Sequence, residues 1–286
     1  MSLPQSSKPF YDPNGLAFRE RKGDAGTIVL LHGLGFSKEV FDAQFESEAL
    51  KDYRLVAVDL PGHGESADAT NAAATYCYSG FARAAEDLLE MLSVESCVVV
   101  GWSLGGHVAL ELAAQSSKVS GVLTMGTAPA PGGPLGLVRS KNFSRGLLLS
   151  GMSQFTAKDA QQFESLCFGD AASGEFVPTL MRTDPLMRPS LAKSTLMNLE
   201  SDQHHQVMNS PVDICLLHGA KDPFIRTDYM ATLVSPTIHG GGTIILKDSG
   251  HAPFMDQPRG FETVLIDFFE NPQDRRITTP DCAKAA

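Results

Sequence analysis

Apolar positions along the chain follow two alternating rhythms. Short continuous runs of Val, Ile and Leu, the pattern of strands covered on both faces, predict strands at Gly15–Arg21, Thr27–His32, Arg54–Leu60, from Cys97 to Gly101, and at Val119–Met125, Val212–His218 and Thr243–Lys247. Between them apolar residues recur every three or four positions. Phe81, Ala84, Ala85, Leu88, Leu89 and Leu92 share one face of a helix over Tyr78–Leu92, and Phe261, Val264, Leu265 and Phe268 share one face of a helix over Gly260–Glu270. Further helices are predicted around Val40–Leu50, directly after Ser103, and at Thr227–Leu233. Strand, helix, strand, helix with apolar strands is the pattern of a mostly parallel central sheet flanked by helices on both faces, with right-handed crossovers.

The rhythm breaks once. From Thr127 the chain reads Ala-Pro-Ala-Pro-Gly-Gly-Pro, and the next eighty or so residues contain no convincing strand. Helical patterns at about Leu135–Met152, Lys158–Phe168, Gly174–Thr183 and Pro189–Leu199 predict a helical cap inserted between two core strands. The expected organisation is therefore a first core part over 1–127, a cap over 128–210, a second core part over 211–270 and a polar tail over 271–286. Half of the ten methionines fall in the cap, a content suited to an adaptable apolar pocket.

Composition narrows the partners. A hydrophobic fraction of 43% and a charged fraction of 20% are those of an ordinary globular chain. A net charge of -10 argues against nucleic acid and anionic membrane surfaces, so a small apolar or neutral acyl molecule is the expected partner. The N-terminal residues lack the apolar segment of a secretory signal, no run approaches the length of a membrane span, and the five cysteines are odd in number without a CxxC pair. These features predict a reducing, cytoplasmic setting.

Candidate chemistry lies at the predicted strand ends. Gly101-Trp-Ser-Leu-Gly105 sits between a strand and a helix, so Ser103 occupies a turn too tight for side chains at the flanking glycines. A serine hydroxyl needs a base within reach, and that base needs a partner to hold its tautomer. Two other strand-end loops supply Asp222 and His251, in the chain order Ser, acid, His. Asp248 and Asp213 are lesser candidates for the acid, Asp248 being better suited to a supporting place behind the histidine. Asp59 and His63 are expected to brace their loop, and His107 to be a satisfied core histidine. His204-His205 has no third ligand at metal spacing, so neither metal nor cofactor is expected.

With His32-Gly-Leu-Gly35, Asp59-Leu-Pro-Gly-His-Gly-Glu-Ser66, the Ser103 pentapeptide, Gly219-Ala-Lys-Asp222 and Gly250-His251, the chain resembles the α/β-hydrolase superfamily from about Gly15 to Glu270. The resemblance implies that Ser103 attacks a carbonyl carbon, His251 relays its proton and Asp222 orients the imidazole. It also implies that the backbone N–H groups of Leu34 and Leu104 form an oxyanion hole. The loop after the strand ending near Met125 has no carboxylate, which favours Asp222 as the acid. A serine at the elbow disfavours dehalogenase and epoxide-hydrolase chemistry.

Within the superfamily, the elbow with Gly-His107, Asp222-Pro-Phe224, the cap segment Met-Arg182-Thr-Asp184 and Gly250-His-Ala-Pro-Phe254 resemble the α/β-hydrolase type of N-acyl-homoserine lactonase. Leu34 departs from the polar residue such an enzyme could use at that position. Gly33, Trp102, Phe155 and Phe224 are the expected pocket residues, with filling of the elbow the other role open to Trp102. The expected activity is hydrolysis of a carboxylic ester or lactone through an acyl-enzyme. A C–C bond hydrolase of a diketone or ring-fission product, and a hydrolase-like small-molecule receptor, are the alternatives.

Overall fold

The computed structural model describes residues 10–11 and 15–271. The predicted polar tail from 272 onward and the N-terminal stretch before residue 10 lie outside the described residues. Eight strands, β1 (Phe10–Tyr11), β2 (Ala17–Arg21), β3 (Thr27–Leu31), β4 (Arg54–Val58), β5 (Cys97–Trp102), β6 (Val119–Met125), β7 (Asp213–Gly219) and β8 (Ile244–Leu246), form one sheet in the order β1-β2-β4-β3-β5-β6-β7-β8. The first two pairings, β1 with β2 and β2 with β4, are antiparallel, and the remaining pairings, from β4–β3 to β7–β8, are parallel. Residues 23–26 turn the chain between β2 and β3 without making a hairpin, because β4 lies between them.

All six residues of β5 are buried, as a central strand with helices on both faces requires. The helix Tyr78–Met91 presents Phe81, Ala82, Ala85, Leu88 and Leu89 to the core, each large apolar side chain contributing about 1.5–3 kcal/mol by leaving water. The helix Pro258–Glu270 buries Phe261, Leu265 and Phe268. Phe268 packs where Gly121 of β6 leaves room: a Cβ there would sit 3.0 Å from its ring.

The structure departs from the predicted helices in several places, among them the short unpredicted turns Ala72–Thr75 and Pro253–Asp256. The stretch around Val40–Leu50 is three short turns, Lys38–Phe41, Asp42–Phe45 and Glu48–Leu50, the last opened by Ser47 accepting from the Ala49 N–H. The pattern over Leu135–Met152 divides into Gly133–Ser140 and Arg145–Ser150. Between them the Asn142 N–H donates to Phe224 O (2.8 Å) and the Arg226 N–H donates to Ser140 O (2.9 Å), so the backbone of this segment pairs with the loop after β7 instead of continuing the helix. Gln203–Met208 forms a helix that the sequence pattern does not announce, capped by the Asp202 side chain. Between β6 and β7 the described chain contributes no strand to the sheet.

The loops after β3 and β4 are braced as their polar residues suggest. Asp59 is fully buried and accepts from the Lys38 N–H (2.6 Å), Lys38 Nζ (2.9 Å) and the Glu65 N–H (2.9 Å). His32 Nε2 accepts from the Leu60 N–H (3.0 Å), so its Nδ1 carries the proton and donates to Gly33 O (2.8 Å). His63 bonds Pro61 O and packs its ring edge-on to His32, 5.0 Å between centroids. Burial pushes both histidines toward the neutral form.

His107 is buried beneath Tyr78, whose ring stacks on it at 4.7 Å, and its Nδ1 lies 2.5 Å from Gln203 Oε1. Burial pushes its pKa down to about 3. As pH falls below about 6.5 the unfolded chain gains a proton at this position that the folded chain does not take up until about pH 3. Native stability therefore declines as pH drops through this window, by about 1.4 kcal/mol per pH unit for each such histidine. Urea unfolding at pH steps from 7 to 5 is expected to show this slope, and His107→Gln to reduce it by about one proton. Equal slopes in the two proteins would contradict the assignment.

Candidate active site

Ser103 stands between β5 and the helix Leu104–Gln115 with φ 53° and ψ -112°, a conformation that side-chain-bearing residues rarely adopt. The strain is held by its surroundings. Ser103 N–H donates to Met125 O (2.8 Å), and Ser103 O accepts from Thr127 Oγ1 (2.9 Å) and the Gly106 N–H (3.1 Å). A Cβ on Gly101 would overlap Gly105 O, and one on Gly105 would overlap Leu31 O, so backbone meets backbone across β3, β5 and the helix start. Among the described residues nothing hydrogen-bonds the Ser103 hydroxyl, and the residue is partly exposed.

Asp222 follows β7 and is buried. Its Oδ1 accepts from the N–H groups of Phe224 (2.7 Å) and Ile225 (3.0 Å), and its Oδ2 lies 2.7 Å from His251 Nδ1. Burial alone would raise the acid's pKa, but the adjacent His251 and these hydrogen bonds outweigh it and hold the carboxyl below its usual range. An ionised Asp222 fixes the proton on His251 Nδ1, which leaves the Nε2 lone pair free to act as a base. The Phe224 ring lies 4.5 Å from the imidazole and the Trp102 ring 5.7 Å. Trp102 Nε1 donates to His251 O (2.9 Å), tying the histidine's loop to the residue beside Ser103. Gly126 (φ 56°) passes so close that a Cβ there would lie 2.9 Å from His251 Nδ1.

Asp248, expected behind the histidine, instead makes an exposed ion pair with Lys221 (2.9 Å). The supporting carboxylate is Asp256, which accepts from the Gly250 N–H (2.6 Å) and from Ser249 Oγ (2.7 Å). Asp213 begins β7, a whole strand's length from Asp222 at the other end. His218, which the sequence does not single out, is buried with Nδ1 3.8 Å from Asp222 Oδ2 and Nε2 3.0 Å from Thr227 Oγ1; burial keeps it toward the neutral form. Only its strand-end position could have marked His218, and Asp256, at the end of the short helix Pro253–Asp256, sits in no recognisable motif.

The loop Gly33-Leu34-Gly35 turns over the end of β3, with the Phe36 N–H bonded to Gly33 O (3.1 Å). Leu104 N–H opens its helix and so has no intrahelical acceptor, and among the described residues the Leu34 N–H has no backbone acceptor. Trp102 has no exposed surface: it fills the elbow, covering Gly33, where a Cβ would lie 2.7 Å from its ring, and packing on Phe36, Phe168 and Phe254. Phe155 and Phe224 join the same aromatic cluster through Phe163. An open cleft of about 640 Å³ lies at the seam between the inserted helices and the core, bordered by Ser37, Glu65, Phe176, Arg182 and Met255, but not by Ser103 or His251. Among the described residues no group of three His, Cys, Asp or Glu could hold a metal, His204 and His205 included, and no helix is long and apolar enough to cross a membrane.

Comparison with known proteins agrees with this architecture. Two crystal structures of the N-acyl homoserine lactonase AidH, one complexed with N-butanoyl homoserine and one with N-hexanoyl homoserine lactone, superpose with TM-scores of 0.88 and 0.87 at 26% identity. They cover 93% and 92% of this chain and 97% of each of those chains. By sequence, the pimeloyl-(acyl-carrier protein) methyl ester esterase of Neisseria meningitidis is 29% identical over 88% of this chain and 98% of its own length. That of Vibrio atlanticus is 28% identical over 86% and 95%. The model of the alpha/beta hydrolase family matches residues 28–264, and with it the chain is placed: this protein belongs to the α/β-hydrolase family.

Proposed function

We propose that this protein is a serine hydrolase of carboxylic esters, lactones included, with Ser103, His251 and Asp222 as its catalytic triad and residues 128–210 as the cap over its substrate. The observation that carries the reading is the Asp222 Oδ2–His251 Nδ1 contact of 2.7 Å, tied through Trp102 to a serine on a strained elbow. In this scheme Ser103 Oγ attacks the carbonyl carbon while His251 Nε2 takes its proton. The oxyanion that forms is met by the N–H groups of Leu34 and Leu104, each such donor being worth about 3 kcal/mol in the transition state. His251 then protonates the leaving alkoxide. The acyl-enzyme is hydrolysed by a water that gives its proton to the same nitrogen. In a lactone the leaving oxygen stays tethered to the acyl group, and the same steps open the ring.

Methyl ester esterases among the relatives and a lactonase among the structural neighbours both support acyl transfer to water as the common chemistry. The cap's seven Lys and Arg against seven Asp and Glu, on a chain of net charge -10, favour a free small molecule over an acidic protein-borne one.

A panel of methyl esters, p-nitrophenyl esters and N-hexanoyl homoserine lactone, read by proton release, is expected to show turnover that Ser103→Ala lowers by about 10⁶-fold without loss of fold. Turnover persisting in that variant would overturn the assignment. Asp222→Asn is expected to lower kcat by about 10⁴-fold with little change in KM, because the His251 tautomer is no longer held. A loss confined to KM would argue against that role for the acid.

A further inference from the structure

Arg188 lies in the inserted helix Met187–Leu196 and is 1% exposed, yet among the described residues it has no carboxylate partner. Its guanidinium stacks on the Phe155 ring, 4.0 Å from the centroid, and Nη2 donates to Leu180 O (3.1 Å). Nε and Nη1 are buried and unpartnered. Burial alone moves its pKa, down to about 10, with no acidic group close enough to oppose it. Stacking on one aromatic face and one neutral carbonyl do not offset the desolvation of a full charge, so the unliganded arrangement is costly.

Its position gives the cost a purpose. A Cβ on Gly35, the residue after Leu34, would lie 2.6 Å from Arg188 Nη2, so the guanidinium rests against the loop assigned to the oxyanion hole. Phe155, beneath it, continues through Phe163 to Phe224, whose ring touches His251. A continuous row of packed aromatic rings thus links the histidine to an unpaired buried cation. A neutral acceptor would bond the free N–H groups but leave the charge unpaired, whereas a carboxylate would satisfy both.

We propose that Arg188 is a carboxylate-binding group and that the ester cleaved here carries a carboxylate on its acyl chain. The proposal rests on the serine-hydrolase reading for its placement beside the reacting carbonyl. The overall negative charge of the chain disfavours anions at long range; Arg188 acts within the site, where its field is not screened by water.

The test compares monomethyl hexanedioate and monomethyl octanedioate with methyl hexanoate and methyl octanoate, read by proton release. The wild-type protein is expected to favour the carboxylated esters in kcat/KM by roughly 10- to 100-fold, chiefly through KM. Arg188→Gln should bring the ratio near one, and Arg188→Lys should restore part of it. A wild-type ratio of one or below, with methyl hexanoate or N-hexanoyl homoserine lactone turned over well, overturns the carboxylate site and leaves the hydrolase reading standing. Should no ester be cleaved, thermal melting decides the site independently. Monomethyl hexanedioate raising the wild-type midpoint more than methyl hexanoate does, with the difference absent in Arg188→Gln, supports the site; equal shifts overturn it.

Discussion

The site depends on a backbone-to-backbone contact. β3, β5 and the helix after Ser103 approach so closely at Gly101 and Gly105 that neither position has room for a methyl group. That contact forces the turn in which Ser103 takes φ 53°, a strain of order 1–3 kcal/mol held in place by the packing of the sheet around it. Because the strain is shared among three elements of the core, Ser103 is positioned by a buried part of the molecule. The same contact leaves the first N–H of the helix without an acceptor beside the Ser103 hydroxyl.

Two further loops are brought to that point by different means. The histidine loop is held by Asp256 and by Trp102 Nε1, so the only tryptophan in the chain anchors the His251 backbone as well as filling space. The acid loop is held from above. Asn142 Nδ2 donates to the backbone carbonyls of Asp222 (3.4 Å) and Ile225 (3.1 Å), and Gly146 gives Phe224 the room to lie against His251. The inserted helices therefore do more than cover the strand ends, because they contribute hydrogen bonds to the loop that carries Asp222. The inserted segment and the loop that carries Asp222 are thus mechanically joined.

Legibility in the sequence followed locality. The strands were readable because a parallel strand buried on both faces is a continuous apolar run, and the predicted bounds of β2 to β8 all fall within two residues of those observed, while the two-residue β1 carries no such run. Ser103, Asp222 and His251 were readable because each lies within three residues of a glycine in the loop that follows such a run. Helices that pack along their whole length, such as Tyr78–Met91, were also readable. Leu135–Met152 was not, because its middle residues satisfy their backbone groups with a loop some eighty positions away, and no local pattern announces that exchange.

Alone, the sequence determined the order of the core elements, the break that separates two core parts, and the placing of Ser103, Asp222 and His251 in strand-end loops, since each of these is a matter of periodicity or of glycine at a tight turn. Tertiary structure alone decided which carboxylate supports the histidine, Asp256 rather than Asp248, and that Trp102 is enclosed within the elbow. It also decided that Arg188 is buried without a counter-charge beside the oxyanion loop. The physical reason is that burial and pairing of a charge depend on which distant segments close around it, and a charged residue reads the same in the sequence whether it meets water, a partner or neither.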